Sequence, residues 1–269
     1  MSRQDEGYAW QTGVWDRMSA IYPHEIDVRF VAVIGHCLRR AALEPGEAVL
    51  DLGTGTGAGA VLAAAAVGEQ GSVTAIDLSP EMVAVARKAA SDAGANNVEA
   101  REGRAEDIPA GDDQFDAVIA SLSLMYVIDR AAAAQDIARV LRPGGRLVAA
   151  VWAGPDEADI VRFQQTVGTF APPPPVPGVG PGALADPRPF LAQLEVAGIT
   201  AEVSSEVVEF AFDDFEQAWD PLASVTTAGL DPERRREAKQ AVQDAMWSDP
   251  SSRRVFRNRT QFIVGNLRQ

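Results

Sequence analysis

The chain has 269 residues, of which 46% are hydrophobic and 23% are charged. This composition is typical of globular proteins and argues against wholesale disorder, and the length predicts one or two domains. The 24 Lys and Arg side chains against 38 Asp and Glu side chains give a net charge of −14, which disfavours nucleic acids and anionic membranes as partners because like charges repel.

Cysteine usage and the first residues bear on the cellular compartment. Cys37 is the only cysteine in the sequence, so neither an internal disulfide nor a zinc cage of thiolates can form. The first residues are polar and lack the apolar region of a secretory signal, and the longest uncharged apolar stretch, 58–67, is about half a membrane span. We expect a cytoplasmic protein without a membrane partner.

The first predicted elements are helices. Residues 8–43 show apolar residues at helical spacing in two stretches, which Pro23 separates. The apolar stripes are Trp10, Val14, Met18 and Ile21 in the first helix and Ile26, Phe30, Val33, Cys37, Leu38 and Ala41 in the second.

Strands and helices then alternate. Strands are predicted at 48–52, 72–76, 97–101, 115–121 and 146–152, with helices between them. These strands are apolar almost throughout, which indicates a parallel sheet that helices cover on both faces.

The alternation stops after residue 152. Residues 171–182 are rich in Pro and Gly, which predicts an extended, partly mobile connection. Beyond it we predict a helix at 189–197, a strand at 199–212, a helix that Asp231 caps and a last strand at 260–267. Because that last strand needs the main sheet to pair with, we expect a single domain, 1–269.

The most informative motif is a glycine-rich turn between the first strand and the next helix. Gly53, Gly55 and Gly57 follow the strand residues VLDL. Glycine allows a tight turn and close approach to a ligand, and the helix behind it is expected to offer N–H groups to a polar or anionic ligand. The segment also matches a dinucleotide fingerprint, and a turn that only packs the helix on the strand remains an alternative.

Two carboxylates add to this motif. Asp51 lies just before the glycines, where it would repel a pyrophosphate and favour a cationic ligand group. Asp77 ends the second strand, where a carboxylate can accept two hydrogen bonds from a ribose diol. The alternative is that Asp51 caps the turn and Asp77 caps the next helix.

At these residues the sequence resembles the class I S-adenosylmethionine (SAM)-dependent methyltransferases, and most closely the small-molecule branch that includes the ubiquinone and menaquinone C-methyltransferases. The resemblance covers about residues 45–152 and, more loosely, 8–24. It is carried by VLDLGTGTGAG at 49–59, AIDLSPEMV at 75–83, EGRAEDIP at 102–109, FDAVIASLSLMYV at 115–127 and VLRPGGRLVAAVW at 140–152.

The resemblance implies an α/β fold, SAM as the cofactor and S-adenosylhomocysteine as its product. The fold is a Rossmann-like, seven-stranded, mostly parallel sheet with its last strand antiparallel, helices on both faces and a helical lid. The implied parts are an N-terminal lid at 1–44, a cofactor-binding core at 45–152 and a substrate side at 153–269, with lid segments at 155–185 and 213–258.

The resemblance also assigns roles to matching residues. The methionine end of SAM would lie against Asp51, Gly53, Thr54 and Gly55, and its ribose against Asp77. The adenine would lie between Leu78 and Met82 and beside Ala105. The sulfonium would lie beside Ser121 and Leu122, and residues 123–127 would face the acceptor. One position departs from the family, because Arg104 stands where an acidic residue usually accepts from the adenine amino group. Arg has only donors, so either Glu106 or Asp107, a backbone carbonyl or water would take that role, and Arg104 would stack on the adenine.

The sequence offers fewer candidates for catalytic groups than for cofactor contacts. The methyl group of SAM is already activated, so positioning and desolvation are the main requirements and no metal is needed. His24, in the hinge between the first helices, is a candidate general base, with a solvated hinge residue as the alternative. Tyr22 is a candidate for contact with cofactor or substrate. Trp10, Trp15 and Trp152 are candidates for an apolar acceptor pocket, with core packing equally compatible for each. Tyr126, after the fourth strand, is a candidate for facing the acceptor.

The acceptor is expected to be a small organic molecule, methylated on O, C or N. The segment after the fourth strand, LSLMY, lacks the Asn/Asp-Pro-Pro-aromatic signature of base amino methylation. The acidic chain and a lid rich in Pro, Phe and Val favour an uncharged or cationic, partly apolar acceptor. The high Ala content with Arg preferred over Lys indicates a GC-rich bacterial source, which favours a bacterial secondary metabolite or a quinone-like molecule. Two alternatives remain: a SAM-binding, non-methylating enzyme of the cyclase type, and a NAD-type oxidoreductase. A homo-oligomer is compatible with the sequence.

Overall fold

The sheet confirms the predicted fold class. A computed structural model describes residues 2–268. Over these residues the strands are β1 (Ala48–Leu52), β2 (Ser72–Asp77), β3 (Val98–Glu102), β4 (Phe115–Ser121), β5 (Leu141–Trp152), β6 (Ile199–Phe212) and β7 (Arg254–Leu267). They form a seven-stranded sheet in the order β3-β2-β1-β4-β5-β7-β6. The strands from β3 to β5 are parallel, and β7 is antiparallel to both β5 and β6.

Helices pack around this sheet. Within residues 2–268 they are α1 (Arg3–Met18), α2 (Tyr22–Glu25), α3 (Asp27–Ala41), α4 (Ala58–Val67), α5 (Pro80–Asp92), α6 (Arg130–Val140), α7 (Asp159–Gly168), α8 (Arg188–Val196), α9 (Phe215–Thr227) and α10 (Pro232–Met246). A short 3₁₀ turn, Leu124–Tyr126, follows β4. In the part of the chain that the structure describes, no helix combines the length and the apolar character that a membrane crossing requires.

Three elements are longer than their local patterns predict. Helix α1 begins at Arg3 because Ser2 and Asp5 form a capping box. Strand β5 begins at Leu141, since Leu141 pairs with Phe115 before a register shift restores the main ladder. Strand β7 begins at Arg254 because it pairs with β6 over its whole length, and that pairing partner is not visible in the β7 sequence itself.

The C-terminal elements form an aromatic core on the β6–β7 side. Trp219 of α9 is 1% exposed and packs against Phe163 and Phe215, with ring centroids 6.3 and 6.0 Å away. Phe256 of β7 lies 5.0 Å from Phe212 of β6. These buried rings pack α7 against β7 and α9 against β6.

The fold brings the carboxyl ends of β1, β2 and β4 to one edge of the sheet. The strand order reverses between β1 and β4, which is the place where parallel α/β sheets form ligand crevices. Asp51 lies near the end of β1, Asp77 at the end of β2 and Ser121 at the end of β4.

The N-terminal helices cover this edge as the predicted lid. Gln11 of α1 donates to the carbonyl of Tyr126 at 2.6 Å, and the Ser79 hydroxyl donates to Asp16 of α1. The segment 171–182 lies against the outside of α1, where the Arg3 guanidinium donates to the carbonyl of Pro175 at 3.0 Å. The lid is therefore closed by polar bonds to the sheet edge.

Candidate cofactor site

Two adjoining chambers lie between the lid and the sheet edge. The outer chamber, between α1 and the ends of β2 and β4, has an empty volume of about 790 Å³ including its open mouth. The inner chamber, between α3 and the glycine turn, has an empty volume of about 440 Å³. Both are lined by Tyr22, Gly53, Gly55, Ser121 and Leu122, so these residues mark the junction.

The residues assigned to the cofactor by resemblance come together in these chambers. Asp51 and Thr54 line the inner chamber, and the junction contains Gly53, Gly55, Ser121 and Leu122. The outer chamber is lined by Asp77, Leu78, Met82, Arg104, Ala105 and Glu106. Their roles toward a cofactor stay predictions, but their convergence is what one elongated ligand requires.

The three glycines of the turn serve different purposes. Their φ angles are +73°, +55° and +87° for Gly53, Gly55 and Gly57, a region that favours glycine. A Cβ on Gly53 would lie 2.4 Å from the Cβ of Ser123, and one on Gly57 would lie 2.9 Å from the Cα of Ala86. A Cβ on Gly55 would meet nothing within 4 Å. Gly53 and Gly57 are thus needed for packing, and Gly55 keeps space open in the cleft.

Four backbone N–H groups of this turn already donate to other protein atoms. The N–H groups of Gly53 and Thr54 both donate to the carbonyl of Ile76 at 2.9 Å. The N–H of Gly55 donates to Asp77 at 2.9 Å, and that of Gly57 to the carbonyl of Thr54 at 3.0 Å. These four N–H groups are therefore already engaged and not available to a pyrophosphate. The expectation that the helix behind the turn offers N–H groups concerns α4 and stays a prediction.

Asp51 is a buried acid without a protein counter-ion. Its side chain is 4% exposed, and it accepts a hydrogen bond from the Thr54 hydroxyl at 2.7 Å. Burial raises its pKa to about 6, and the charge of Asp77 acts in the same direction. Within residues 2–268 no Lys, Arg or His forms an ion pair with it, so a cationic ligand group would be the natural partner.

Asp77 anchors both the glycine turn and the start of α5, and it lines the outer chamber. Its two oxygens accept from the N–H groups of Gly55 and Ser79, at 2.9 and 3.0 Å. Burial raises its pKa. Each carboxylate oxygen has a further lone pair, so Asp77 can anchor the turn and still accept from a ligand hydroxyl.

The adenine end of the predicted site contains Glu106 and not Asp107. The Oε1 atom of Glu106 accepts from the N–H groups of Ile128 and Asp129 at 3.1 and 3.2 Å, which fixes the side chain beside the outer chamber. The Asp107 side chain is 80% exposed and pairs with Arg104 at 3.7 Å. The Arg104 guanidinium stacks on Tyr8 of α1 at 4.7 Å.

Tyr22 and Tyr126 line the cleft, whereas other candidates do not. The Tyr22 ring lies 6.3 Å from Trp15 and 6.4 Å from Phe30, and Trp15 lies 4.8 Å from Tyr126. Burial raises the pKa of Tyr22 and of Tyr126, so both phenols stay protonated at neutral pH and are weak bases.

Three candidates lie outside the cleft in the structure. His24 is exposed on α2 and lines neither chamber. Trp10 is 41% exposed on α1, off the face that carries Tyr8, Gln11 and Trp15. Trp152 is 1% exposed and packs behind Phe30 at 5.5 Å. The geometry therefore gives no support to His24 as a base or to either tryptophan as an acceptor contact.

Sequence reasoning missed several lid residues that face the cleft. Tyr8 and Gln11 line the outer chamber from α1, beside the predicted candidate Trp15, and Asp27 and Thr56 line the inner chamber. Residues 8, 11 and 15 lie on one face of a helix, but the apolar stripe that begins at Trp10 predicted a different face of α1 as the buried one.

The exposed position of His24 leads to a direct test. We expect His24→Ala to leave the turnover number within about twofold of the wild type, because removing a true general base costs about a hundredfold or more. Steady-state kinetics at saturating cofactor would measure this. A hundredfold loss of turnover with unchanged cofactor affinity would restore His24 as the base and imply that α2 turns inward.

Comparison with known proteins agrees with this geometry. Residues 49–145 match a family described as "Methyltransferase domain". An arsenite methyltransferase from Halobacterium salinarum is 41% identical over 40% of this chain and 27% of its own length. A ubiquinone/menaquinone biosynthesis C-methyltransferase from Geotalea daltonii is 36% identical over 41% of this chain and 48% of its own length. The chain thus spans about half or less of the length of these relatives.

Solved structures extend the similarity of the fold. The YcgJ protein from Bacillus subtilis superposes with a TM-score of 0.65 at 19% identity, covering 88% of this chain and 99% of that chain. The [4+2]-cyclase SpnF superposes with a TM-score of 0.59 at 22% identity, covering 88% of this chain and 84% of that chain. These structures show the same fold, and the sequence matches confirm the resemblance to the class I methyltransferases.

Proposed function

We propose that this protein, whose residues 49–145 match the methyltransferase-domain family, transfers a methyl group from SAM to a small organic acceptor. The observation that carries the proposal is Asp51, a buried acid without a protein counter-ion beside a glycine turn whose N–H groups are largely engaged. A dinucleotide pyrophosphate would meet repulsion there, whereas the ammonium group of a methionine would meet an acid.

The shape of the cleft supports one orientation of the cofactor. Its adenosine would occupy the outer chamber, with Asp77 accepting from the ribose hydroxyls and Glu106 accepting from the adenine amino group. Its methionine would occupy the inner chamber beside Asp51. The sulfonium would then lie at the junction, near Tyr22, Ser121 and Leu122.

The reaction requires the protein mainly to position the cofactor and the acceptor. SAM supplies an activated methyl group; the acceptor atom forms a bond to the methyl carbon while the carbon–sulfur bond breaks, and its electron pair stays on sulfur. The closed lid holds the reacting atoms in line and excludes water, and such orientation contributes up to about 7–11 kcal/mol in well-aligned reactions. Gln11 and Asp16 fix α1 in this closed position.

The lining of the cleft supports a planar, largely apolar acceptor. Trp15, Tyr22 and Tyr126 form an aromatic wall near the junction, and such rings stack well on other flat molecules. We therefore favour a quinone-like molecule or another aromatic secondary metabolite, made and methylated in the cytoplasm of a bacterium. The similarity to a ubiquinone/menaquinone C-methyltransferase supports the same choice.

A transfer assay tests the proposal. The protein would be incubated with SAM that carries a labelled methyl group and with a panel of hydroquinones, phenols, amines and RNA. We expect label in at least one planar organic product and none in RNA. Label transfer only to RNA, or tight SAM binding without transfer to any small molecule, would contradict the proposed reaction.

One observation favours a second candidate. Among the described residues at the junction, the phenol of Tyr22 has a raised pKa and no histidine is present, so the removal of an acceptor proton has no evident base. A SAM-binding enzyme of the cyclase type needs no such base, and the fold is also that of the [4+2]-cyclase. Formation of product from an acceptor without label transfer would support this alternative.

A further inference from the structure

Two tyrosine hydroxyls face the cleft without a protein partner. Tyr22 lines both chambers, and Tyr126 lines the outer one. Over residues 2–268 neither hydroxyl takes part in a hydrogen bond, and neither oxygen is among the fully enclosed polar atoms that lack a partner. Both oxygens are therefore open to the cleft. Because buried tyrosines ordinarily find a partner for this group, these two hydroxyls are available to a ligand.

Neighbouring residues hold both rings in fixed positions. Trp15 packs edge-to-face on both of them, with ring centroids 6.3 Å from Tyr22 and 4.8 Å from Tyr126. Leu122 has a φ angle of +59°, and it turns the chain after β4 toward the 3₁₀ turn that ends at Tyr126. Gln11 of the lid donates to the carbonyl of Tyr126 at 2.6 Å. The two hydroxyls are thus preorganised, which lowers the entropy cost of holding a ligand group.

The charges around these phenols favour an uncharged ligand group. Burial raises the pKa of both phenols, so each stays protonated and can both donate and accept a hydrogen bond. The carboxylates of Asp27 and Asp77 and the phenol of Tyr126 act on Tyr22 in the same direction. Within the described residues no charged side chain shifts the pKa of Tyr126. An anionic ligand group would be repelled by the two carboxylates near Tyr22, whereas a neutral hydroxyl would not.

We propose that Tyr22 and Tyr126 are specificity-determining residues, whose phenols hold an uncharged hydroxyl group on the ring of the acceptor by hydrogen bonds. This inference rests on the proposed function and narrows its acceptor to a planar ring that carries a free hydroxyl group. A ring without this group would still stack on the aromatic wall. It would, however, cover the phenols and leave them without a partner, which costs affinity.

Calorimetry with two flat probes of nearly the same shape tests this inference. The probes are 2-naphthol and 2-methylnaphthalene, which differ in having a hydroxyl or a methyl group at the same ring position. The full chain is first saturated with S-adenosylhomocysteine, so that only the remaining part of the cleft is open. We expect the wild type to bind 2-naphthol about tenfold or more tightly than 2-methylnaphthalene.

Phenylalanine variants assign this preference to the two phenols. Tyr22→Phe and Tyr126→Phe keep the ring and remove only the hydroxyl. We expect each variant to weaken the binding of 2-naphthol about three- to tenfold, while the affinity for 2-methylnaphthalene stays within about twofold of the wild type. A purely structural role of either tyrosine would weaken both probes by the same factor.

Tyr8→Phe is the matched control. Tyr8 also lines the outer chamber, but its phenol already interacts with the Glu106 carboxylate. We therefore expect this variant to keep the ratio of the two probe affinities within about twofold of the wild-type ratio.

The outcomes separate the inference from the proposed function. Equal affinities of the wild type for the two probes, binding of neither probe, or an unchanged affinity ratio in either phenylalanine variant would overturn the inference. Methyl transfer to another kind of acceptor would still leave the methyltransferase assignment intact. Failure of the wild type to bind S-adenosylhomocysteine would overturn both.

Discussion

Replacing Asp51 by Asn is expected to raise the dissociation constant for SAM by more than about a hundredfold, because removing one member of a buried ion pair costs about 3 kcal/mol or more. Asn has nearly the same shape. Its oxygen can accept from the Ala60 N–H, and its amide can donate to the Thr54 hydroxyl, which bond to Asp51 in the wild type. Calorimetry with SAM at pH 8 would measure the change.

The same substitution is expected to stabilise the ligand-free protein above pH 6. Burial raises the pKa of Asp51 from 3.8 to about 6, so the folded state binds its proton more tightly than the unfolded state does. This carboxylate therefore lowers the free energy of unfolding as the pH rises from 3.8 to 6, by up to about 3 kcal/mol, and the full cost remains above that range.

Thermal unfolding as a function of pH tests whether Asp51→Asn stabilises or destabilises the ligand-free protein. Asp51→Asn should melt several degrees above the wild type at pH 8, since about 1 kcal/mol corresponds to 2–4 °C in a chain of this size, and the two curves should converge near pH 4. Asp92→Asn, at an exposed position, provides the control and should change neither property. A lower melting temperature at pH 8, or unchanged SAM affinity, would contradict this role for Asp51.

The second large effect is expected at Gly55. A Cβ at this position meets no protein atom within 4 Å, so Gly55→Ala should fold but place a methyl group in the space proposed for the cofactor. We expect SAM affinity to fall at least about thirtyfold while the free energy of unfolding falls by only about 1–2 kcal/mol, the cost of alanine in the left-handed region. Calorimetry and urea unfolding would measure the two quantities.

Gly94→Ala is the matched control for backbone strain. Gly94 also has a positive φ, +66° against +55°, and also meets nothing within 4 Å, but it lies in the turn after α5. It should lose similar stability and keep full SAM affinity. Equal affinities in the two variants would mean that Gly55 does not face the cofactor.

Local sequence patterns predicted the parts of the fold that they determine. Strands such as Ala48–Leu52, Phe115–Ser121 and Ile199–Phe212 coincide with the structure, because apolar runs between turn residues indicate buried or paired strands. The extra residues of β5 and β7 depend on a register shift and on a distant partner strand. The local sequences of β5 and β7 therefore could not predict these extra residues.

The candidate site likewise has residues that the sequence could predict and residues that it could not. Asp51, Asp77 and the glycines were predictable because strand ends and turn chemistry place them at one edge of a parallel sheet. The lid contacts were not, since the exposed position of Trp10 and the cleft position of Tyr8 depend on how α1 rotates over the sheet. The bonds that engage the N–H groups of the turn required coordinates, because they join β1 to the neighbouring strand.

The most direct test of the cofactor assignment is a calorimetric comparison of SAM with NAD⁺ on the full chain. The arrangement of Asp51 and the engaged N–H groups predicts that SAM binds with one site per chain and that NAD⁺ does not compete with it. Binding of NAD⁺ that displaces SAM, or binding of NAD⁺ alone, would contradict the account.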